Sequence, residues 1–104
     1  MKLNLLERFT ILQVLPKEGN FATLNIVRKL QEALAPTEKE FNEFGIVQEN
    51  NQTKWNEKGI EVREIKIGEK AIDIVVEELE KLDADKKLTP QHMSVYEKFV
   101  KNKD

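Results

Sequence analysis

The one side chain that titrates near neutrality without help is His92, the single histidine of the chain. A catalytic role for this imidazole would require a nucleophile or a carboxylate within hydrogen-bonding distance. Ser94 is two residues further on, and residues two apart on a helix face different directions. We therefore expect His92 to be a surface or helix-capping residue, and the sequence predicts no catalytic site.

Acidic residues cluster at three places, and none has the spacing of a metal site. Asp83 and Asp85 imitate the start of an EF-hand loop, which needs an oxygen ligand at its fifth position, glycine at the sixth and glutamate at the twelfth. Lys87, Leu88 and Ser94 stand there instead. The two remaining clusters fit the solvated sides of amphipathic helices: Glu38, Glu40 and Glu43, and Glu77, Glu78 and Glu80. We predict no metal, no cofactor and no enzymatic activity.

Composition confines the chain to one small domain. Of the 104 residues, 39% are hydrophobic and 35% charged, which is a balance typical of soluble globular proteins. The net charge of −2 argues against a general nucleic-acid binder, whose surface is strongly basic. The absence of cysteine favours a reducing compartment. No apolar run approaches the roughly 20 residues of a membrane span. We expect a cytoplasmic protein with one domain over 1–100 and a frayed tail at 101–104.

Capping signals and hydrophobic periodicity predict the elements that position these residues. Asn4 with Glu7 begins the first helix, and Thr37 with Glu40 begins a short third helix. The second helix is expected over about Phe21–Leu34. Together with the elements that follow, these helices predict an α+β, mostly helical domain.

The second half of the chain predicts a small sheet and two more helices. Residues 49–52 are predicted to form an asparagine-centred turn of a β-hairpin, with a third strand near 64–67. A fourth helix covers about 69–82, and Thr89-Pro90 begins the fifth. The predicted fold has about five helices with an antiparallel hairpin or three-stranded sheet. Its predicted core consists of Leu5, Phe9, Leu12, Leu24, Val27, Leu30, Leu34, Phe41, Phe44, Ile72, Val75, Leu79, Tyr96 and Phe99.

Several apolar side chains lie off the predicted buried faces. Ile11, Val14 and Ile74 are displaced from them, so either the first helix is covered on two sides or these residues form a contact surface. We predict burial for Val14 and exposure for Ile74. Trp55, on the hairpin, either packs on the core or anchors a partner. Trp55 and Ile74 are therefore the candidate partner contacts.

The order of helices and hairpin also matches a winged helix, which would read DNA with its third helix. That helix, residues 37–44, has three glutamates and one lysine, and the hairpin tip has no basic residue. Phosphate contacts need cations at these places. A winged-helix-like nucleic-acid-binding regulator is therefore the alternative interpretation, and weak or absent binding to duplex DNA is expected.

Four motifs are distributed along nearly the whole chain: Leu5-x-x-Arg8-Phe9-x-Ile11-Leu12, the segment Leu15-Pro16-Lys17-Glu18-Gly19-Asn20-Phe21-x-Thr23-Leu24, the pair Trp55-Asn56, and Lys87-Leu88 with Tyr96-Glu97-Lys98-Phe99. Together they resemble a family of small bacteriophage- and prophage-encoded proteins of unknown function. The resemblance implies synthesis in the cytoplasm of a bacterial host and carries over no site residues. The leading hypothesis is a non-enzymatic module that binds another protein or itself, as a virion component, an assembly factor or a host-interaction protein.

Overall fold

The computed structural model describes residues 1–101 and shows an α+β fold, which confirms the predicted class. Its helices are α1 (Leu5–Val14), α2 (Phe21–Leu34), α3 (Glu38–Phe44), α4 (Glu69–Ala84) and α5 (Pro90–Tyr96). A 3₁₀ turn covers Glu57–Ile60, and α5 continues into a π-helical turn over Glu97–Lys101. The strands are β1 (Lys2–Leu3), β2 (Val47–Glu49), β3 (Gln52–Lys54) and β4 (Arg63–Glu64). No helix of the described part is both long and apolar enough to cross a membrane.

Local capping chemistry sets the helix boundaries as the sequence predicts. Asn4 and Glu7 form a reciprocal capping box at α1, and Thr37 and Glu40 form one at α3. Gly45 ends α3 in the left-handed conformation, at φ 59°. Of the predicted tail at 101–104, Lys101 ends the π-helical turn and 102–104 lie outside the described residues.

The four strands form two separate two-stranded antiparallel sheets. β2 and β3 make the expected hairpin, and Asn50 and Asn51 both adopt positive φ at its turn, as a type I′ turn requires. The strand predicted near 64–67 is β4, which covers only Arg63–Glu64 and does not extend this hairpin. It pairs instead with β1, with Lys2 opposite Glu64. The pairing of two segments about 60 residues apart closes the chain's N-terminus onto its middle.

Helix α1 lies at the centre of the fold, against α2, α4, α5 and the 3₁₀ turn. Its buried face carries Leu5 and Ile11, followed by Leu15 just beyond the helix. The main core cluster joins this face to the helices around it through Val27, Leu30, Leu34, Val75, Val76, Leu79, Val95 and Phe99. A second, smaller cluster joins Leu5 to Phe44 and Ile46, with Phe9 and Trp55 packed against it.

Part of the predicted core is wrong. Leu24 and Phe41 are exposed (37% and 46%), while Phe9, Leu12, Ile72 and Tyr96 are only partly buried. Side chains that the prediction left out are buried instead: Leu3, Ile11, Leu15, Ile46, Ile65, Ala71, Val76 and Val95. Because α1 is rotated relative to the predicted stripe, Ile11 is fully buried and Leu6 faces outward.

The sequence predicts burial for Val14 and exposure for Ile74, but the two side chains lie in similar environments. Val14 is partly buried against the main core cluster, and so is Ile74. The exposure predicted for Ile74 is therefore wrong. Covering α1 on several sides explains why its apolar residues extend around so much of its circumference.

Candidate functional site

An open cleft of about 430 Å³ lies between α1 and the β2–β3 hairpin, and we call it the Phe9–Trp55 cleft. Its floor is the pair of aromatic rings, whose centroids are 5.4 Å apart with the planes tilted by 44°. Leu6 stands beside the pair and exposes 43% of its side chain. The lining residues are Leu6, Phe9, Leu12, Gln13, Asn51, Thr53, Trp55 and Gln91.

The periodicities of a helix and a strand create the two walls of the cleft. Leu6, Phe9 and Gln13 are three and four residues apart, so they share the face of α1 that turns away from the main core cluster. Asn51, Thr53 and Trp55 alternate along β3 and its flanks, and alternate residues of an extended strand point to the same side. The outward face of α1 and one face of the hairpin therefore oppose each other.

Trp55 is held in place by close packing and by backbone hydrogen bonds of its neighbours. Gly59 is buried, and a Cβ added there would lie 2.3 Å from the Trp55 Cδ1 atom. Asn56 donates its backbone N–H to the Phe44 carbonyl (2.8 Å) and its side-chain Nδ2 to the Glu43 carbonyl (3.1 Å). These contacts attach the end of the hairpin to α3 and fix the tryptophan against the cleft.

Among residues 1–101, no charged side chain lines the Phe9–Trp55 cleft, although 35% of the chain is charged. Leu6, Phe9, Leu12 and Trp55 supply apolar surface. The amides of Gln13, Asn51 and Gln91 can both donate and accept hydrogen bonds, and Thr53 adds a hydroxyl. The cleft can therefore hold an uncharged group with apolar and amide-like parts, and its lining supplies no acid–base pair for chemistry.

Behind the cleft, the other face of α1 carries a buried arginine. Arg8 is 2% exposed and donates from Nε to the Leu34 carbonyl (3.0 Å) and from Nη2 to the Ala35 carbonyl (3.1 Å). Its Nη1 and Nη2 also donate to the two carboxylate oxygens of Glu40, at 2.9 and 3.0 Å. One guanidinium thus joins the end of α2 to the start of α3.

Glu40 keeps its negative charge well into the acid range because of this arginine. The hydrogen bonds from Arg8 lower its pKa from 4.5 to about 2, against the opposing effect of burial. The Thr37 backbone N–H also donates to Glu40, and Arg63 lies 3.7 Å from it. The pair acts as a structural clamp between three helices.

A second buried charge on α1 faces the C-terminal helix. Glu7 is 3% exposed, and burial alone would raise its pKa. Hydrogen bonds from Lys98 Nζ (2.7 Å), the Ser94 hydroxyl and the Asn4 backbone N–H (2.9 Å) outweigh that effect, so its pKa is below the usual value. This carboxylate fixes the π-helical turn to α1.

The sequence contained only a weak signal for these two charges. Glu7 and Arg8 read as interruptions of an apolar run, although Arg8 is three residues from both Leu5 and Ile11 and so shares their face. Its partner Glu40 is 32 residues away, and only the capping box marked that position. Long-range pairing of this kind leaves no local pattern.

The remaining candidate residues have separate environments. His92 caps α5, since its Nδ1 accepts from the Thr89 backbone N–H at 2.9 Å, whereas Ser94 binds Glu7. No group of three or more potential metal-ligating side chains occurs within residues 1–101. Of the two predicted partner contacts, Trp55 lines the cleft, while Ile74 packs on the main core cluster and is not part of that lining.

Comparisons with known proteins give no indication of function, so the functional conclusion rests on the geometry described above. No protein-family model matches the chain, and comparisons with curated proteins and with solved structures give no match.

Proposed function

We propose that this chain is a non-enzymatic protein-interaction module and that the Phe9–Trp55 cleft receives an uncharged, extended segment of a partner protein. The observation that carries the proposal is the uncharged lining of the cleft around an aromatic pair with Leu6 exposed at its side. Exposed apolar surface flanked by polar residues is characteristic of contact sites on soluble proteins.

The chemistry of the lining selects the partner segment. A charged side chain entering the cleft would lose hydration without meeting an opposite charge, which is unfavourable. An apolar side chain would pack on Phe9 and Trp55, and aromatic residues are common energetic centres of interfaces. The amides of Gln13, Asn51 and Gln91 can pair with the peptide groups of an extended chain.

The biological setting that we propose follows from the sequence resemblance. On that resemblance, the protein originates from a phage or prophage and acts in the cytoplasm of a bacterial host. The partner is then a virion protein, an assembly intermediate or a host protein.

A peptide display library tests the proposal. Random peptides are selected on the wild-type protein and then measured against Leu6→Asp, which places a carboxylate at the cleft, and against Val62→Asp as the matched control. Val62 is 49% exposed and does not line the cleft, so both substitutions should leave the fold intact. Melting curves of the two variants verify this.

We expect the selected peptides to be apolar and uncharged, to bind Val62→Asp as tightly as wild type, and to bind Leu6→Asp at least about tenfold more weakly, as expected when one central contact is lost. Trp55 is the single tryptophan, so its fluorescence reports binding at the cleft directly. Equal affinity for Leu6→Asp and wild type, or unchanged tryptophan emission on binding, would contradict the proposal.

A further inference from the structure

A second depression lies between α2 and the start of α4, and we call it the α2–α4 groove. It measures about 360 Å³ and has an apolar floor with a basic rim. The floor consists of Ile26, Leu30, Ala33, Ile67, Gly68 and Ala71. The rim carries Lys29, Lys66 and Lys70, and Glu69 is the acidic lining residue within the described range 1–101.

The floor has the spacing of a helix–helix contact surface. Ile26, Leu30 and Ala33 occupy positions i, i+4 and i+7 of α2, so they form one stripe along that helix. Leu30 is buried, Ile26 is partly buried and Ala33 is exposed. The small side chains of Ala33 and Ala71 leave space between α2 and α4 for apolar side chains of an approaching helix.

The rim provides charge complementarity for one kind of occupant. Lys29, Lys66 and Lys70 are exposed, and none of them forms an ion pair with any residue in the described range 1–101. With three lysines and one glutamate, the lining described for this groove has a net positive charge on a chain whose net charge is −2. A ligand with carboxylates on both sides of an apolar stripe would satisfy the rim and the floor together.

We propose that the α2–α4 groove binds an acidic amphipathic helix of a partner protein, as a docking site separate from the Phe9–Trp55 cleft. The apolar floor gives a nucleic-acid backbone nothing to contact, whereas it fits the leucine-type anchors of such a helix. The two sites have opposite chemistry, one uncharged and one basic, so they select different segments. The protein can then hold two partner segments at once.

The test uses a fluorescein-labelled synthetic helix with leucines at i, i+4 and i+7 and glutamates on both flanks, measured by fluorescence anisotropy. A matched peptide has lysine in place of every glutamate. The groove variant is Lys66→Glu with Lys70→Glu, and the control variant is Lys17→Glu with Lys87→Glu, which makes the same change of net charge at exposed lysines outside the groove. Leu6→Asp serves as the control for the other site.

We expect the acidic peptide to bind wild type, the Lys17/Lys87 control and Leu6→Asp alike, and to bind the Lys66/Lys70 variant at least about tenfold more weakly, as reversal of interfacial charges predicts. The lysine peptide should not bind. Equal loss of affinity in both charge-reversal pairs, or equal binding of both peptides, would overturn the proposal. The proposal would also be overturned if a fatty acid displaced the labelled peptide at a lower concentration than the unlabelled acidic peptide does. If Leu6→Asp still binds the acidic peptide, then binding at the α2–α4 groove does not depend on the Phe9–Trp55 cleft, and the two proposals can fail independently.

Discussion

Replacing Glu40 by alanine should destabilise the fold by about 3–5 kcal/mol, because it removes one partner of a buried ion pair and leaves the other behind. The Arg8 guanidinium is 2% exposed and gives two of its four hydrogen bonds to this carboxylate. The carbonyls of Leu34 and Ala35 would remain as its only acceptors among the contacts described. Domains of this size have about 5–15 kcal/mol of stability, so the loss should be large in urea unfolding.

The dependence on pH gives an independent measure of the same interaction. Folding lowers the pKa of Glu40 from 4.5 to about 2, so ionised Glu40 contributes stability that is fully present above pH 4.5. The contribution is lost as the pH falls from 4.5 through about 2. One pKa unit corresponds to about 1.4 kcal/mol, so lowering the pKa from 4.5 to about 2 sets an upper limit of about 3.4 kcal/mol, which solvent screening of this partly exposed carboxylate reduces. The difference in unfolding free energy between wild type and Glu40→Ala should shrink in acid by up to that amount.

Two further variants test whether the loss of stability depends on the burial of the Arg8–Glu40 ion pair. Glu43 pairs with Arg63 near the surface, where both side chains are about one-third exposed and solvent screens the pair, so Glu43→Ala should destabilise the fold much less than Glu40→Ala. The double variant Arg8→Met/Glu40→Leu removes both charges and should be more stable than Glu40→Ala alone. The reasoning is refuted if Glu40→Ala and Glu43→Ala unfold at the same urea concentration, or if the double variant is the least stable of the three.

Four other outcomes follow from the structure. Gly59→Ala should lower stability by about 1–3 kcal/mol and red-shift tryptophan emission, since its Cβ would collide with Trp55, while Gly68→Ala, with nothing within 4 Å of its Cβ, should leave the emission unchanged. His92→Ala should cost about 1 kcal/mol in thermal unfolding through the lost cap of α5, with an unchanged circular dichroism spectrum; a cost near zero would show that the cap is unimportant. Val14→Asp and Ile74→Asp should each lower the free energy of unfolding by about 1–3 kcal/mol, and with it the melting temperature, because both side chains pack on the main core cluster. An unaltered melting transition in either variant would contradict the burial of that side chain. Duplex DNA should show no electrophoretic shift at about 150 mM salt, since α3 has three glutamates against one lysine and the hairpin tip has no basic residue to meet phosphates, and a stable shift would favour the winged-helix alternative.

The sequence by itself determined the elements whose signals are local. Capping boxes at Asn4 and Thr37 place the starts of α1 and α3, and the paired asparagines at 50 and 51 place the hairpin turn. α2 has the predicted bounds, Phe21–Leu34. In each case the hydrogen bonds or backbone angles involve residues within a few positions of one another, so the chain carries the information in one short stretch.

The tertiary structure alone decided which face of α1 is buried and what each face does. Leu6, Phe9 and Leu12 form as regular a stripe as the true inner face, but only the other face has Arg8, whose guanidinium finds the Leu34 carbonyl and Glu40 across the fold. That rotation turns Leu6 and Phe9 toward the hairpin and creates the cleft with Trp55. The orientation of a helix that is apolar around much of its circumference depends on partners far away in sequence, because its own periodicity is compatible with more than one buried face.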